Sequence, residues 1–321
     1  MAIGMLKTKK GLFFTILTVL FLSIFLFYFT IGNLKRYSNQ MVVIESRVNS
    51  MNDFVKSIER DVERGLYISS FRALLSISVY LANKDSFITN INGSFSEAVL
   101  NGTINQEVLP LMVNSTLNDW INSIKSQGGN LNLIVNINVS QLKVYQKDPW
   151  RVYSSINVTI DIIDSSALAS WHRERLVETS VSILGLEDPL YIVNGHRRLT
   201  NLINITPYEG VYTSFVIGVW NVSKLLAHAN QSFYTSNTNA PDYLARFENK
   251  TDASAYGIES MVDVIELSSQ GLPITDKSII DYIYWSNLTT SDYHVNFTPS
   301  WFKIDQQHCE KYQVKDMIRC P

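Results

Sequence analysis

No acidic residue precedes Glu45, whereas Lys7, Lys9, Lys10, Lys35 and Arg36 all lie in that opening stretch. Those five belong to 27 basic residues, which leaves 22 against 29 acids and a remainder near −7. A body that acidic repels phosphate backbones, so nucleic acid is not an expected partner. Catalytic punctuation is missing as well. The chain has no G-x-S-x-G, no phosphate-binding lysine loop, no G-x-G-x-x-G and no H-E-x-x-H. Its five histidines, at 172, 196, 228, 294 and 308, are scattered without metal-ligand spacing. Ser300-x-x-Lys303 matches a penicillin-binding motif in type but lacks that family's partner motifs. His196-Arg197-Arg198 is a possible anion grip, with a solvated turn as the plainer reading. No enzyme, cofactor or metal site is therefore expected. There is also no internal repeat and no low-complexity tract.

Only two cysteines occur, Cys309 and Cys320. Outside the cytoplasm such a pair reads as a local disulfide, and so short a loop is worth roughly 3 kcal/mol by loop entropy. His308 beside Cys309 raises the question of metal, but two or three ligands fall short of a zinc site. Free thiols are the remaining alternative.

Charge is absent between Lys10 and Lys35. Within that interval the run GLFFTILTVLFLSIFLFYFTIG, from Gly11 to Gly32, spans 22 residues. A bilayer core of roughly 30 Å needs about 20 helical residues. A cleavable signal has an apolar core of only about 7–15 residues and a small-residue site. Thr30-Ile31-Gly32 is a poor version of that site, so an anchor is expected, with residues 1–10 cytoplasmic and 11–33 in the membrane. Flanking charges nearly balance and orient the chain only weakly. Sequons speak more clearly. Eleven of 27 Asn begin N-x-[ST]: Asn92, Asn101, Asn114, Asn138, Asn157, Asn204, Asn221, Asn230, Asn249, Asn287 and Asn296. Ser and Thr make up about a sixth of the chain, so chance gives about four or five. The excess places the body on the exported side, where exposed Asn are glycosylated.

Beyond the membrane run, Tyr37, Met41, Ile44, Val48, Met51, Val55, Ile58 and Val62 repeat at alternating spacings of four and three. No Gly or Pro interrupts residues 33–64, so span and stalk (34–83) are expected to form one rod. Gly11 to Arg64 would reach on the order of 80 Å. The Met41–Val62 stripe suits either self-association between subunits or packing on the chain's own head.

The head (84–188) opens with short helices and loops and a hinge at Gln127-Gly128-Gly129. Three alternating runs follow. Leu131, Leu133, Val135, Ile137 and Val139 oppose Asn132, Asn136 and Asn138, and the phase slips near Ser140-Gln141 as at a bulge. Trp150, Val152, Ile156, Val158, Ile160 and Ile162 oppose Arg151, Asn157, Thr159 and Asp161. Val177, Thr179, Val181 and Ile183 make the third. Short links between them predict an antiparallel meander. Pro189–Arg198 is the expected boundary to a second mixed region (189–321). There, Val211–Trp220 reads as a strand, Asp242–Phe247 and Ile258–Ser269 as helices, and Ser278–Trp285 as either. Carboxylate pairs such as Asp161 and Asp164 cannot be placed from sequence. The fold class is α+β: a long N-terminal helix packed on an antiparallel meander.

Lys9-Lys10-Gly11, followed directly by Leu12-Phe13-Phe14-Thr15, resembles the leader of type IV pilin-like proteins, particularly archaeal ones. The resemblance implies a peptidase cut between Gly11 and Leu12 and helices that bundle into a filament core. The chain departs from bacterial pilins at Ile16, where they carry Glu, and its body is larger than a major pilin's. The body, with Asp188-Pro189-Leu190-Tyr191 and Asp281-Tyr282-Ile283-Tyr284, is similar to archaeal membrane-anchored extracytoplasmic proteins. The expected role is a pilin-like subunit or accessory of a surface filament or secretion machine. The alternative is a signal-anchored sensing or ligand-binding module.

Overall fold

The computed structural model describes residues 5–208 and 210–318, with side chains described from Gly11 onward except at 32–40. Its first element is a single helix, α1 (Met5–Lys84). At 1.5 Å per residue its 80 residues extend about 120 Å. Proline is absent from the whole of this stretch, and Gly11, Gly32 and Gly65 lie inside it without breaking it.

The two halves of α1 differ in what they touch. From Gly11 to Ile31 the side chains are bare, and Met41, Val42, Val43 and Ile44 are exposed too. Contact with the head begins at Arg47. Met51, Val55, Ile58, Val62 and Leu66, at most 2% exposed, then form one buried face. Each contributes about 1.5–3 kcal/mol of apolar burial. The segment Met41–Lys84 is also long and apolar enough to cross a membrane, but most of its apolar window is buried as a core helix. The stripe read from Met41 to Val62 is therefore divided. Its second half is occupied by the chain's own head, Val48 is half-buried, and only Met41 to Ile44 is left uncovered.

Helix α2 (Ile91–Asn101), the short pair β1 (Thr103–Ile104) and β2 (Glu107–Val108), and α3 (Leu117–Asn130) follow. The expected hinge at Gly128-Gly129 is instead the last turn of α3. Gly128 is needed for contact, since a Cβ there would lie 2.3 Å from Val135 Cγ2. Strands β3 (Leu133–Asp148), β4 (Arg151–Asp164) and β5 (Ser170–Ser182) form an antiparallel sheet in that order. Leu133, Val135, Ile137, Val152, Ile156, Ile160, Val177 and Val181 are buried in it, as the alternation requires. The register shifts between Ser140 and Lys143, with Gln141 at φ 53°, where the phase slip falls. Asn138 pairs with Thr159 and Asn157 with Ser140, so both sequons share the wet face.

The remaining elements are short: α4 (Pro189–Asn194), β6 (Ser214–Val216), β7 (Val219–Asn221), α5 (Ser223–Asn230), β8 (Thr235–Ser236), α6 (Tyr243–Arg246), β9 (Ile258–Glu259), α7 (Val264–Ser269), α8 (Asp281–Tyr284), β10 (Asp292–His294), β11 (Lys303–Asp305) and α9 (Gln306–Lys311). Pro189 opens a buried helix capped by Asp188, whose carboxylate accepts from Leu190 N. Two expectations change here. Residues 211–220 bend into a hairpin at Ile217-Gly218, both at positive φ, and Ile217 at its tip is 95% exposed. In 258–269 only Val264 onward is helical, because Asp263 caps that helix through Ile265 N and Glu266 N.

Two arginines fasten rod to head at opposite ends. Arg47 donates to Asp164 Oδ1 at 2.8 Å and to the Leu131 carbonyl at 2.6 Å. At the far end, Arg197 donates to the Ala82 carbonyl and, at 2.7 Å, to Asn83 Oδ1, while His196 pairs with Asp85 at 2.8 Å. The His196-Arg197-Arg198 turn thus caps the C-terminus of α1, where carbonyls lack helical partners and cations are favoured.

Candidate functional site

The region beyond residue 188 is organised around a buried charge network. Arg246 is fully buried. Its Nη1 lies 2.5 Å from Asp188 Oδ2 and 2.8 Å from Asp281 Oδ2, and its Nη2 donates to the Ile258 carbonyl. Tyr234 donates to Asp188 at 2.7 Å, and Ser260 donates to Asp281 through both backbone N and Oγ. Burial opposes the charge on Arg246, yet Asp188 and Asp281 raise its pKa above the ordinary value. Burial pushes Asp281 up, with Arg246 pulling against it.

Next in sequence to Ser260, Glu259 joins a second cluster. His308 Nε2 lies 3.0 Å from Glu259 Oε2, and its Nδ1 lies 2.6 Å from Asp305 Oδ2. Tyr312 and Lys311 reach Glu259 Oε1 at 2.7 and 2.8 Å. Burial alone would lower His308, but Glu259 and Asp305 raise it to about 9. Burial would raise Glu259, but His308 and Lys311 hold it well below the carboxylate range. His228 is different. Enclosed by Tyr212, Phe233 and Tyr312, it is pushed down to about 4 by burial. A low-dielectric interior makes a paired charge rigid and an unpaired one costly, so these contacts hold short elements in one arrangement.

Tyr282 and Asp305 extend from the network to the floor of a cleft of ≈ 680 Å³. Its walls are the loops 251–253 and 288–291 and the start of α9.

The sequence-derived sites lie apart from one another. Gly11 and Leu12 are on the bare part of α1, with nothing within 4 Å of a Cβ built at Gly11. Of the eleven sequon asparagines, Asn157 and Asn296 are half-buried and the other nine exposed. Cys309 is buried, with Sγ 3.3 Å from the Asp305 carbonyl, and Cys320 lies outside the described residues. His308 binds carboxylates, and among the described residues no group of three or more His, Cys, Asp or Glu side chains is placed to hold a metal ion. Lys303 of the Ser300-x-x-Lys303 pair is held by Asp276 at 2.7 Å. Asp161, on the wet face, contacts His172, while Asp164 contacts Arg47, so the two carboxylates serve different partners. Sequence reasoning missed Arg246, Glu259 and Asp305. The only signal for them was the pair of motifs beginning at Asp188 and Asp281, whose acids meet on Arg246.

The segment Gly11–Ile31 is long and apolar enough to cross a membrane, a description that fits an anchor and an N-terminal signal alike. No family model, curated protein or solved structure matches this chain.

Proposed function

We propose that this chain is a membrane-anchored, extracytoplasmic structural protein of pilin-like build, a subunit or accessory of a surface filament or secretion machine. The observation that carries the reading is α1 itself. One unbroken helix presents a bare apolar half, and its other half is the core of an α+β head. On this reading the Gly11-Leu12 bond is cut, the bare half stands in the bilayer and then among other helices, and Met41–Ile44 extends that contact surface. The head lies outside the cytoplasm. The exposure of nine of the eleven sequon asparagines supports that side, and there Cys309 and Cys320 form a disulfide.

An anchored ligand-binding module is the second reading, favoured by the cleft above the Asp305–His308 pair. An impermeant amine reagent on intact cells should label the head. Labelling only after lysis refutes the exported placement. Gly11→Val should abolish processing and surface assembly under the first reading, and leave a binding module unaffected.

A further inference from the structure

We propose that the cleft between loops 251–253 and 288–291 binds carbohydrate, a role that goes beyond the structural reading and does not depend on how α1 is used. Its volume of ≈ 680 Å³ falls within the roughly 300–1,000 Å³ of small-ligand sites. The chemistry of its lining narrows the ligand. No Lys, Arg or His lines it, so nothing there would hold a phosphate, sulfate or carboxylate. A cation is equally unsuited. Of the two lining acids, Asp305 already accepts from Ser278, His308 and the Gln307 backbone, and Asp252 alone is no metal site.

What remains is neutral and hydrogen-bonding. Asn239, Thr251, Thr289, Ser291, Gln306 and Gln307 bring amides and hydroxyls to the cleft, and their side chains make no hydrogen bond to any described residue. Amides and hydroxyls that both donate and accept match the hydroxyls of a sugar. Leu288, 41% exposed, offers apolar surface for a sugar's C–H face. The floor does not need to reorganise on binding, because Asp305 and Tyr282 belong to the buried network. Fixed partners of this kind lower the ordering cost of a weak polar ligand.

Two sources would supply such a ligand. Thr251 and Thr289 are the third residues of the sequons at Asn249 and Asn287. A glycan on either asparagine starts within about 7 Å of chain from the cleft wall. A glycan from outside the chain has the same chemistry.

The experiment uses the full chain in detergent micelles, made without glycosylation, and titrated with chitotriose and mannotriose by calorimetry and saturation-transfer NMR. Saturable binding of either probe is expected, weakened at least about tenfold by Gln306→Ala with Gln307→Ala. Both residues are exposed at the start of α9, so the fold should survive. Failure of both probes overturns the proposal. So does binding that the double substitution leaves unchanged. The glycosylated chain separates the sources. If its own glycan fills the cleft, the probe binds only after Asn249→Gln or Asn287→Gln. If the glycosylated chain binds the probe as well as the bare one, the ligand comes from outside.

Discussion

Replacing Arg246 by Met removes the cation between Asp188 and Asp281 while keeping a chain of similar length. Both carboxylates are fully buried, within 2.5 and 2.8 Å of the guanidinium that is lost. Breaking a buried pair from one side costs about 3–5 kcal/mol, because the remaining charge is uncompensated. Here two acids are orphaned by one substitution, so the upper part of that range is expected, against a total of about 5–15 kcal/mol for a typical domain. The assay is urea unfolding of the full chain in detergent, followed by near-ultraviolet circular dichroism. The loss should also depend on pH in a defined direction. Burial already raises Asp281 against the pull of Arg246; without that pull Asp281 favours its protonated form, so the folded variant binds more protons than the unfolded one. Its stability is then complete below about pH 4 and falls as pH rises through the elevated folded pKa. The gap to the parent should narrow in acid, and Asp281→Asn added to the variant should recover part of it at neutral pH. A loss below about 1 kcal/mol at pH 7, or a gap that widens in acid, would refute the view that this network holds the distal region together.

The remaining predictions concern the second cluster and the rod. His308 stands at about 9 in the fold against about 6.5 unfolded. Its contribution to stability is therefore complete below about pH 6.5 and lost as pH rises through about 9. Unfolding midpoints measured from pH 6 to 10 should decline, and less so for His308→Gln. Val55 is 2% exposed and Val43 is 66% exposed. Val55→Glu should cost the head several kcal/mol through lost burial and a buried carboxylate. Val43→Glu should change head stability by less than about 0.5 kcal/mol and yet abolish crosslinked oligomers if the bare segment meets other helices.

The parts of this fold that could be read from sequence are those with a long repeated pattern. The rod and the sheet each sustain one period over many residues, and even the bulge at Gln141 announces itself as a slip of phase. The distal region offers no such run. Its elements are two to eight residues long, and they are held by contacts between residues far apart in sequence, such as Arg246 with Asp188 and Asp281. Local pattern contains no term for such a contact. The same limit explains the Gly128-Gly129 misreading, since the need for a bare Cα comes from Val135 across the packing interface. It also explains the His196-Arg197-Arg198 turn, whose partners Ala82, Asn83 and Asp85 lie over a hundred residues earlier. The spacing from Met41 to Val62 is enough to put those residues on one helical face. What covers that face is legible only in the fold, where the head takes Met51 onward.

On the proposed function, α1 is a processed anchor and assembly helix for an exported head. Intact-mass analysis of the mature protein from its own membrane, with sequencing of its N-terminal peptide, tests that claim most directly. Cleavage after Gly11 gives a chain that begins at Leu12. A mature chain that begins at Met1 or Ala2 contradicts it and leaves an anchored binding module in its place.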